Sequence, residues 1–168
     1  MVGKLAPIRV VALDVDGVLT DGRITYVDGA WTRSFHVHDG FGIKMLQRLG
    51  YQVAAISADD NPAMTARLEM LGITLAWTGS EDKRAAWREL LLQTGATDAE
   101  VVFVADELFD LPLLERAGFS ATVPDASWRV RERVDYVTER PGGRGAVREV
   151  IELLLLAQGR ELEIPRFE

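Results

Sequence analysis

The sequence predicts an α/β fold, a doubly wound parallel sheet with helices on both faces. Two observations point to it. Short apolar runs with a β-branched bias alternate along the chain with segments whose apolar residues recur at helical spacing, the signature of strand–helix–strand units. Polar or acidic residues also end several of these runs, at the sheet edge where such folds bind ligands. The 168 residues are 48% hydrophobic and 27% charged, enough for one core of ordinary size, so a single domain over residues 1–168 is expected.

Taken in order, "IRVVALD" (8–14) is the first buried strand, and "DVDG" follows it at once. "GRITYVDGAWTRSFHV", Gly22 to Val37, breaks the alternation with two β-rich arms around Asp28-Gly29, a hairpin signature. His36 and His38 fall at the end of the second arm, where alternation directs both to one face. "GFGIKMLQRLG" (40–50) is helical, "QVAAIS" (52–57) a buried strand, and "NPAMTARLEMLG" (61–72) a helix with Pro62 at its first turn behind an Asn61 cap. "ITLAWT" (73–78) and "FSATV" (119–123) are shorter strand candidates on either side of "VVFVAD" (101–106). "DKRAAWRELLLQTG" (82–95) and "DLPLLERAG" (110–118) are helices, each closed by a glycine suited to a left-handed cap. "GGRGAV" (142–147) lacks the Lys-Ser/Thr of a phosphate loop, so it is a turn opening a last, buried helix through "IELLLLAQG" (151–159). Residues 160–168 form a tail. The four tryptophans, Trp31, Trp77, Trp87 and Trp128, are scattered, as core or interface residues would be.

A formal net charge of −7 argues against nucleic-acid or anionic-membrane partners. No cysteine is present, which excludes disulfides and thiolate metal sites and fits a reducing cytoplasm. "MVGKLAPIRV" lacks the apolar stretch of a signal peptide, and no apolar run reaches the about 18 residues of a membrane span.

Parallel strands would gather Asp14, Asp16, Ser57, Asp106, Glu107 and Asp110 at one sheet edge. Carboxylates that converge repel one another unless a cation lies between them. A hard ion with oxygen ligands, Mg²⁺, is the natural partner, with Lys83 a second positive charge. This set suits phosphoryl transfer, with an ionised aspartate attacking phosphorus and a second aspartate two residues on serving as acid and base. A lone D-x-D is often mere turn chemistry; Asp59 is a candidate substrate contact and Glu107 a candidate metal ligand, though Glu107 or Asp59-Asp60 could equally cap helices. The order of the residues sets this chain apart from receiver domains, where an acidic pair precedes the phosphoacceptor.

"LDVDGVLTDG", Ser57, Lys83 and "ADELFD" resemble the four motifs of the haloacid dehalogenase superfamily of phosphatases. With "DGFGIK", "LGIT", "DYVT", "GGRGAVREV" and "LLLLAQG", they are similar to the capless sugar-acid phosphatases acting on 3-deoxy-D-manno-octulosonate 8-phosphate, a lipopolysaccharide precursor, from Val10 to Gly159. The resemblance implies a Rossmann-like core with an inserted hairpin and no large cap domain. It implies Asp14 as nucleophile, Asp16 as acid/base, and Mg²⁺ held by Asp14, the Asp16 carbonyl and Asp106. Ser57 and Lys83 would bind the phosphoryl group, and Asp110 would orient Lys83 or the metal waters. The partner is then a phosphorylated sugar acid, and the assembly a homotetramer whose hairpins and C-terminal segments close a neighbour's site, with Arg144 reaching a substrate carboxylate there.

Three positions depart from that pattern. Glu107 stands where the fourth motif has Asp, Ala58-Asp59 where the second has Gly-Arg, and His38 where "VRDG" has Arg. Asp59 and Arg67 resemble residues of relatives acting on nononate 9-phosphates of the sialic-acid type, which makes that substrate the alternative. A catalytically weak homologue kept for binding is the third reading.

Overall fold

The computed structural model describes residues 2–161; all of the expected 160–168 tail beyond Glu161 lies outside them. The described residues hold eight strands: β1 (Val10–Leu13), β2 (Thr25–Val27), β3 (Ala30–Thr32), β4 (Gln52–Ile56), β5 (Leu75–Trp77), β6 (Val101–Val104), β7 (Phe119–Thr122) and β8 (Tyr136–Val137). Seven α-helices accompany them: α1 (Val2–Leu5), α2 (Val37–Arg48), α3 (Pro62–Leu71), α4 (Arg84–Thr94), α5 (Leu111–Leu114), α6 (Trp128–Arg131) and α7 (Ala146–Ala157).

Six strands form one parallel sheet in the order β5-β4-β1-β6-β7-β8. The chain winds outward from β1 to β5, crosses back through α4, and winds the other way from β6 to β8. The switch point, where such folds bind ligands, therefore lies at the carboxyl ends of β1 and β6. Strand alternation divides the core. Val11, Leu13, Val53, Ala55, Val102 and Val104 face α2, α3 and α7, while Val10, Ala12, Ala54, Ile56, Val101 and Phe103 face α4, α5 and α6. No helix among the described residues is long and apolar enough to cross a membrane.

β2 and β3 form a separate antiparallel hairpin. Its turn is Asp28-Gly29, with φ of 51° and 83°, the two left-handed positions that a tight two-residue turn needs. Its outer surface exposes Ile24, Tyr26, Val27 and Trp31.

Several sequence expectations are corrected. α2 starts at Val37, not at residue 40, because His36 serves as its N-cap and accepts the His38 N–H. His38 is thus helical, β3 ends at Thr32, and the two histidines do not alternate along a strand. The helix expected over 110–118 shrinks to α5 behind a 3₁₀ turn at Leu108–Asp110. Gly118 is not its left-handed cap; a Cβ there would stand 2.3 Å from the Ala99 carbonyl oxygen, so the residue is small because backbones touch. α7 buries Ile151, Leu154 and Leu155 but exposes Leu156. Of the tryptophans, Trp87 is core, whereas Trp31 and Trp128 are exposed. Strand β8 and helices α1 and α6, each two to four residues long, had no sequence signal.

Candidate active site

Each central strand hands one residue past its end to the same edge. Asp14 N–H donates to the Val104 carbonyl, and Ser57 N–H to the Trp77 carbonyl, so both residues are held by the last rung of the ladder. Asp106 lies two residues past the end of β6, beside Asp14. A cleft of about 250 Å³ opens there, lined by Asp14, Asp16, Ser57, Asp59, Asp106 and Glu107 among others.

The loop after β1 doubles back tightly, with Val18, Leu19 and Thr20 all donating to the Val15 carbonyl. It fits only with glycine at Gly17, where φ is +85° and an added Cβ would meet Asp106 Oδ2 at 2.0 Å. From beneath, the "GG" turn of 142–143 supports it: a Cβ on Gly142 would lie 1.7 Å from the Gly17 carbonyl oxygen. The segment is the turn before the last helix, as the sequence indicates, and the structure adds that it packs under the loop after β1.

Lys83 stands at the N-cap position of α4 with its side chain fully buried. Its Nζ lies 3.0 Å from Asp14 Oδ1, 2.7 Å from Asp110 Oδ1 and 5.0 Å from the centre of the Phe109 ring. Asp14, Asp106 and Asp110 each offer an oxygen, all within 4.8 Å of one another. One lysine cannot balance three carboxylates. Burial, then the neighbouring Asp14, Asp110 and Glu107 charges, pushes Asp106 up to about 7. Burial likewise raises Asp14, against the opposing pull of Lys83, and raises Asp110. Lys83 Nζ, Asp106 Oδ1 and both Asp110 oxygens are buried without a well-aligned hydrogen bond. Hard oxygen donors left unsatisfied around a crowded negative centre fit a divalent cation such as Mg²⁺.

The other predicted residues are placed as follows. Ser57 is buried, and its hydroxyl accepts the Asp59 N–H at 3.3 Å, facing the cleft. Glu107 is exposed and caps the 3₁₀ turn by accepting the Leu108 N–H at 2.6 Å, outside the carboxylate cluster. Asp16 also stays out of that cluster. Its Oδ1 takes Arg33 Nε at 2.6 Å and Thr20 Oγ1 at 3.3 Å, and its Oδ2 takes Arg33 Nη2 at 3.0 Å. Asp59 does not cap α3, which Asn61 does through the Met64 N–H; it pairs with Arg33 instead. The Asp60 N–H, then Arg33 and Asn61, hold Asp59 below the usual carboxylate range. Arg144 is exposed, and Arg67 packs over Phe35 with an Nη2 contact to the His36 carbonyl.

Three residues have no role assigned from sequence: Arg33, Thr20 and the buried Asp39 lie inside the quoted segments, but nothing local marks their partners. Asp39 accepts the Gly145 and Arg148 N–H groups at 3.1 and 2.8 Å, and so fastens the start of α7 to α2.

An open parallel sheet with an acidic cluster, a buried lysine and a hydroxyl at its switch point defines a phosphoryl-transfer class of α/β enzyme. Comparison with known proteins narrows the class. No family model matches. The 3-deoxy-D-manno-octulosonate 8-phosphate phosphatase KdsC of Haemophilus influenzae is 42% identical over 158 residues, 94% of this chain and 88% of its own. A solved Legionella pneumophila hydrolase of haloacid dehalogenase subfamily III A superposes with a TM-score of 0.92 at 43% identity, covering 94% of this chain and 87% of that one. The Moraxella catarrhalis octulosonate 8-phosphate phosphatase, solved with magnesium, phosphate and the sugar acid, superposes with a TM-score of 0.90 at 37% identity, covering 94% and 91%. The chain belongs to the 3-deoxy-D-manno-octulosonate 8-phosphate phosphatase family of the haloacid dehalogenase superfamily.

Proposed function

We propose that the protein hydrolyses 3-deoxy-D-manno-octulosonate 8-phosphate through an aspartyl-phosphate on Asp14. The observation that carries this is the buried Lys83 set between Asp14 and Asp110 beside Asp106. It supplies a nucleophile, a charge to receive the phosphate and a seat for a metal in one place. Asp14, Asp106 and the backbone carbonyl of Asp16 would hold Mg²⁺, with Asp110 fixing Lys83. Bound there, the ion screens the phosphoryl charge from the carboxylates. Asp14 attacks phosphorus, Lys83 and Ser57 hold the phosphoryl oxygens, and Asp16 protonates the departing sugar oxygen. Asp16 then takes a proton from the water that releases phosphate.

The octulosonate is favoured over a nononate 9-phosphate by the identity to the curated relatives across nearly the whole chain. Asp59, which pointed the other way, shares Arg33 with Asp16, so its charge is partly offset rather than bare against an acidic substrate. The described residues make a single domain, the compartment is the cytoplasm, and the assembly is a homotetramer. Exposed Ile24, Tyr26 and Trp31 on the hairpin and Val37 and Phe41 at the start of α2 support the assembly, because a partner would take large apolar side chains out of water. Arg144, exposed, would then reach a neighbour's substrate.

Asp14→Asn tests the mechanism. It should leave the fold intact and form no acid-stable phosphoenzyme, and wild-type turnover in that variant would refute the covalent route. Light scattering at micromolar concentration should give four chains; a monomer would refute the assembly.

A further inference from the structure

We infer that Arg33, delivered by the hairpin, is a positioning residue for Asp16, and that Asp59 acts through Arg33 rather than on the substrate. The inference rests on the proposed acid/base role of Asp16.

The geometry carries it. Arg33 follows β3, seventeen residues beyond Asp16, and its side chain is only 5% exposed. It grips both oxygens of Asp16 in a bidentate fork, at 2.6 and 3.0 Å. Such a fork fixes the plane of the carboxylate as well as its place. Thr20 completes the hold. Its hydroxyl accepts the Gly17 and Gly22 N–H groups, each at 3.2 Å, and is left to donate to Asp16 Oδ1. Asp16 is thereby restrained on both oxygens from two separate elements. The same Arg33 Nη2 also meets Asp59, whose side chain is 51% exposed. An ion pair that open to water holds weakly, so the part of Asp59 is to aim the guanidinium rather than to anchor it.

The orientation matters chemically in one step. The Asp14 carboxylate oxygen forms a bond to phosphorus while the ester P–O bond breaks. The electron pair of that bond stays on the sugar oxygen, which takes the proton that Asp16 carries on the lone pair of Oδ2 not used by Arg33; the fork itself is the one the carboxylate keeps after the transfer. Asp16 is left as a carboxylate facing Arg33, already aligned to meet the new charge. The proton is returned when water attacks the phosphoenzyme, and no other reactant is needed. A misaligned Asp16 penalises a sugar alkoxide, which must be protonated as it leaves. It does not penalise a nitrophenolate, which departs without a proton.

The experiment measures phosphoenzyme formation in a single turnover, in saturating Mg²⁺, with two substrates on one preparation: octulosonate 8-phosphate and p-nitrophenyl phosphate. Arg33→Met should slow the sugar phosphate by about tenfold or more, from the usual scale of acid catalysis. The loss should fall on kcat rather than KM, with the aryl rate within about threefold of wild type. Arg33→Lys should recover part of the loss. Asp59→Asn should show the same selectivity at smaller size and add nothing in the Arg33→Met background. Equal losses on both substrates, a loss confined to KM, or additive losses in the double variant would overturn the inference. Asp16→Asn in the same assay separates the two levels. If it lacks the leaving-group selectivity, the acid role itself is wrong; if it shows the selectivity and Arg33→Met does not, only the inference about Arg33 fails.

Discussion

Replacing Lys83 by Met removes the one cation that, among the described residues, lies against the carboxylate cluster. The two side chains are close in length, so the change is chiefly one of charge. The lysine and Asp110 side chains are fully buried and Asp14 is 6% exposed, so solvent cannot take over the screening. Breaking a buried pair by deleting one partner typically costs about 3–5 kcal/mol. For a domain of this size each kcal/mol lowers the melting temperature by about 2–4 °C, which gives a fall of about 6–20 °C in metal-free protein. The fall should be largest near pH 8 and smaller near pH 5. With the ammonium gone, Asp14 and Asp110 shed their buried, repelling charges by taking up protons, which acid makes easier. Saturating Mg²⁺ should restore part of the loss without restoring turnover. Calorimetry of wild type and Lys83→Met, at both pH values with and without chelator, measures all of this. A fall of under about 2 °C at pH 8, or a larger fall at pH 5, would refute the electrostatic reasoning.

Wild-type protein without metal should itself gain stability as pH falls from about 8 to 5. Asp14 and Asp106 are pushed up to about 7 from an ordinary 3.8, chiefly by burial, so the folded protein holds protons there that the unfolded chain has released. Denaturant midpoints that instead rise with pH in chelator would contradict this; Mg²⁺ should flatten the trend. Gly17→Ala should cost about 1–3 kcal/mol and weaken metal binding, because its Cβ would meet Asp106 Oδ2 at 2.0 Å in a left-handed backbone. Unchanged stability and unchanged Mg²⁺ titration by calorimetry would argue that Asp106 moves freely.

Strand and helix periodicity made the sheet legible in advance, and the hairpin was visible in Asp28-Gly29 because only a few residues accept two left-handed positions in a row. Asp14, Ser57, Lys83 and Asp106 stood out as candidates because each sits one or two steps past a strand or at the head of a helix, where type and place coincide. Their metal partner was harder to assign. The sequence set five carboxylates at one edge, but the structure gathers Asp14, Asp106 and Asp110 and sends Asp16 to Arg33 and Glu107 to a backbone N–H. A contact such as Arg33 with Asp16, or Asp39 with the head of α7 more than a hundred residues on, leaves no periodic or local trace. β8 was missed for a different reason: two residues at a sheet edge are too few for a pattern.

The central claim is that this site removes phosphate from an eight-carbon sugar acid. Its most direct test is kcat/KM, with Mg²⁺, for 3-deoxy-D-manno-octulosonate 8-phosphate, a nononate 9-phosphate and a neutral hexose phosphate on one preparation. Losing one charged contact to a carboxylate costs about 1.5–3 kcal/mol, so the octulosonate should exceed the hexose phosphate by about ten- to a hundredfold. It should also exceed the nononate. A clear preference for the nononate would contradict the substrate assignment, and equal rates on the hexose phosphate would contradict recognition of a sugar acid at all.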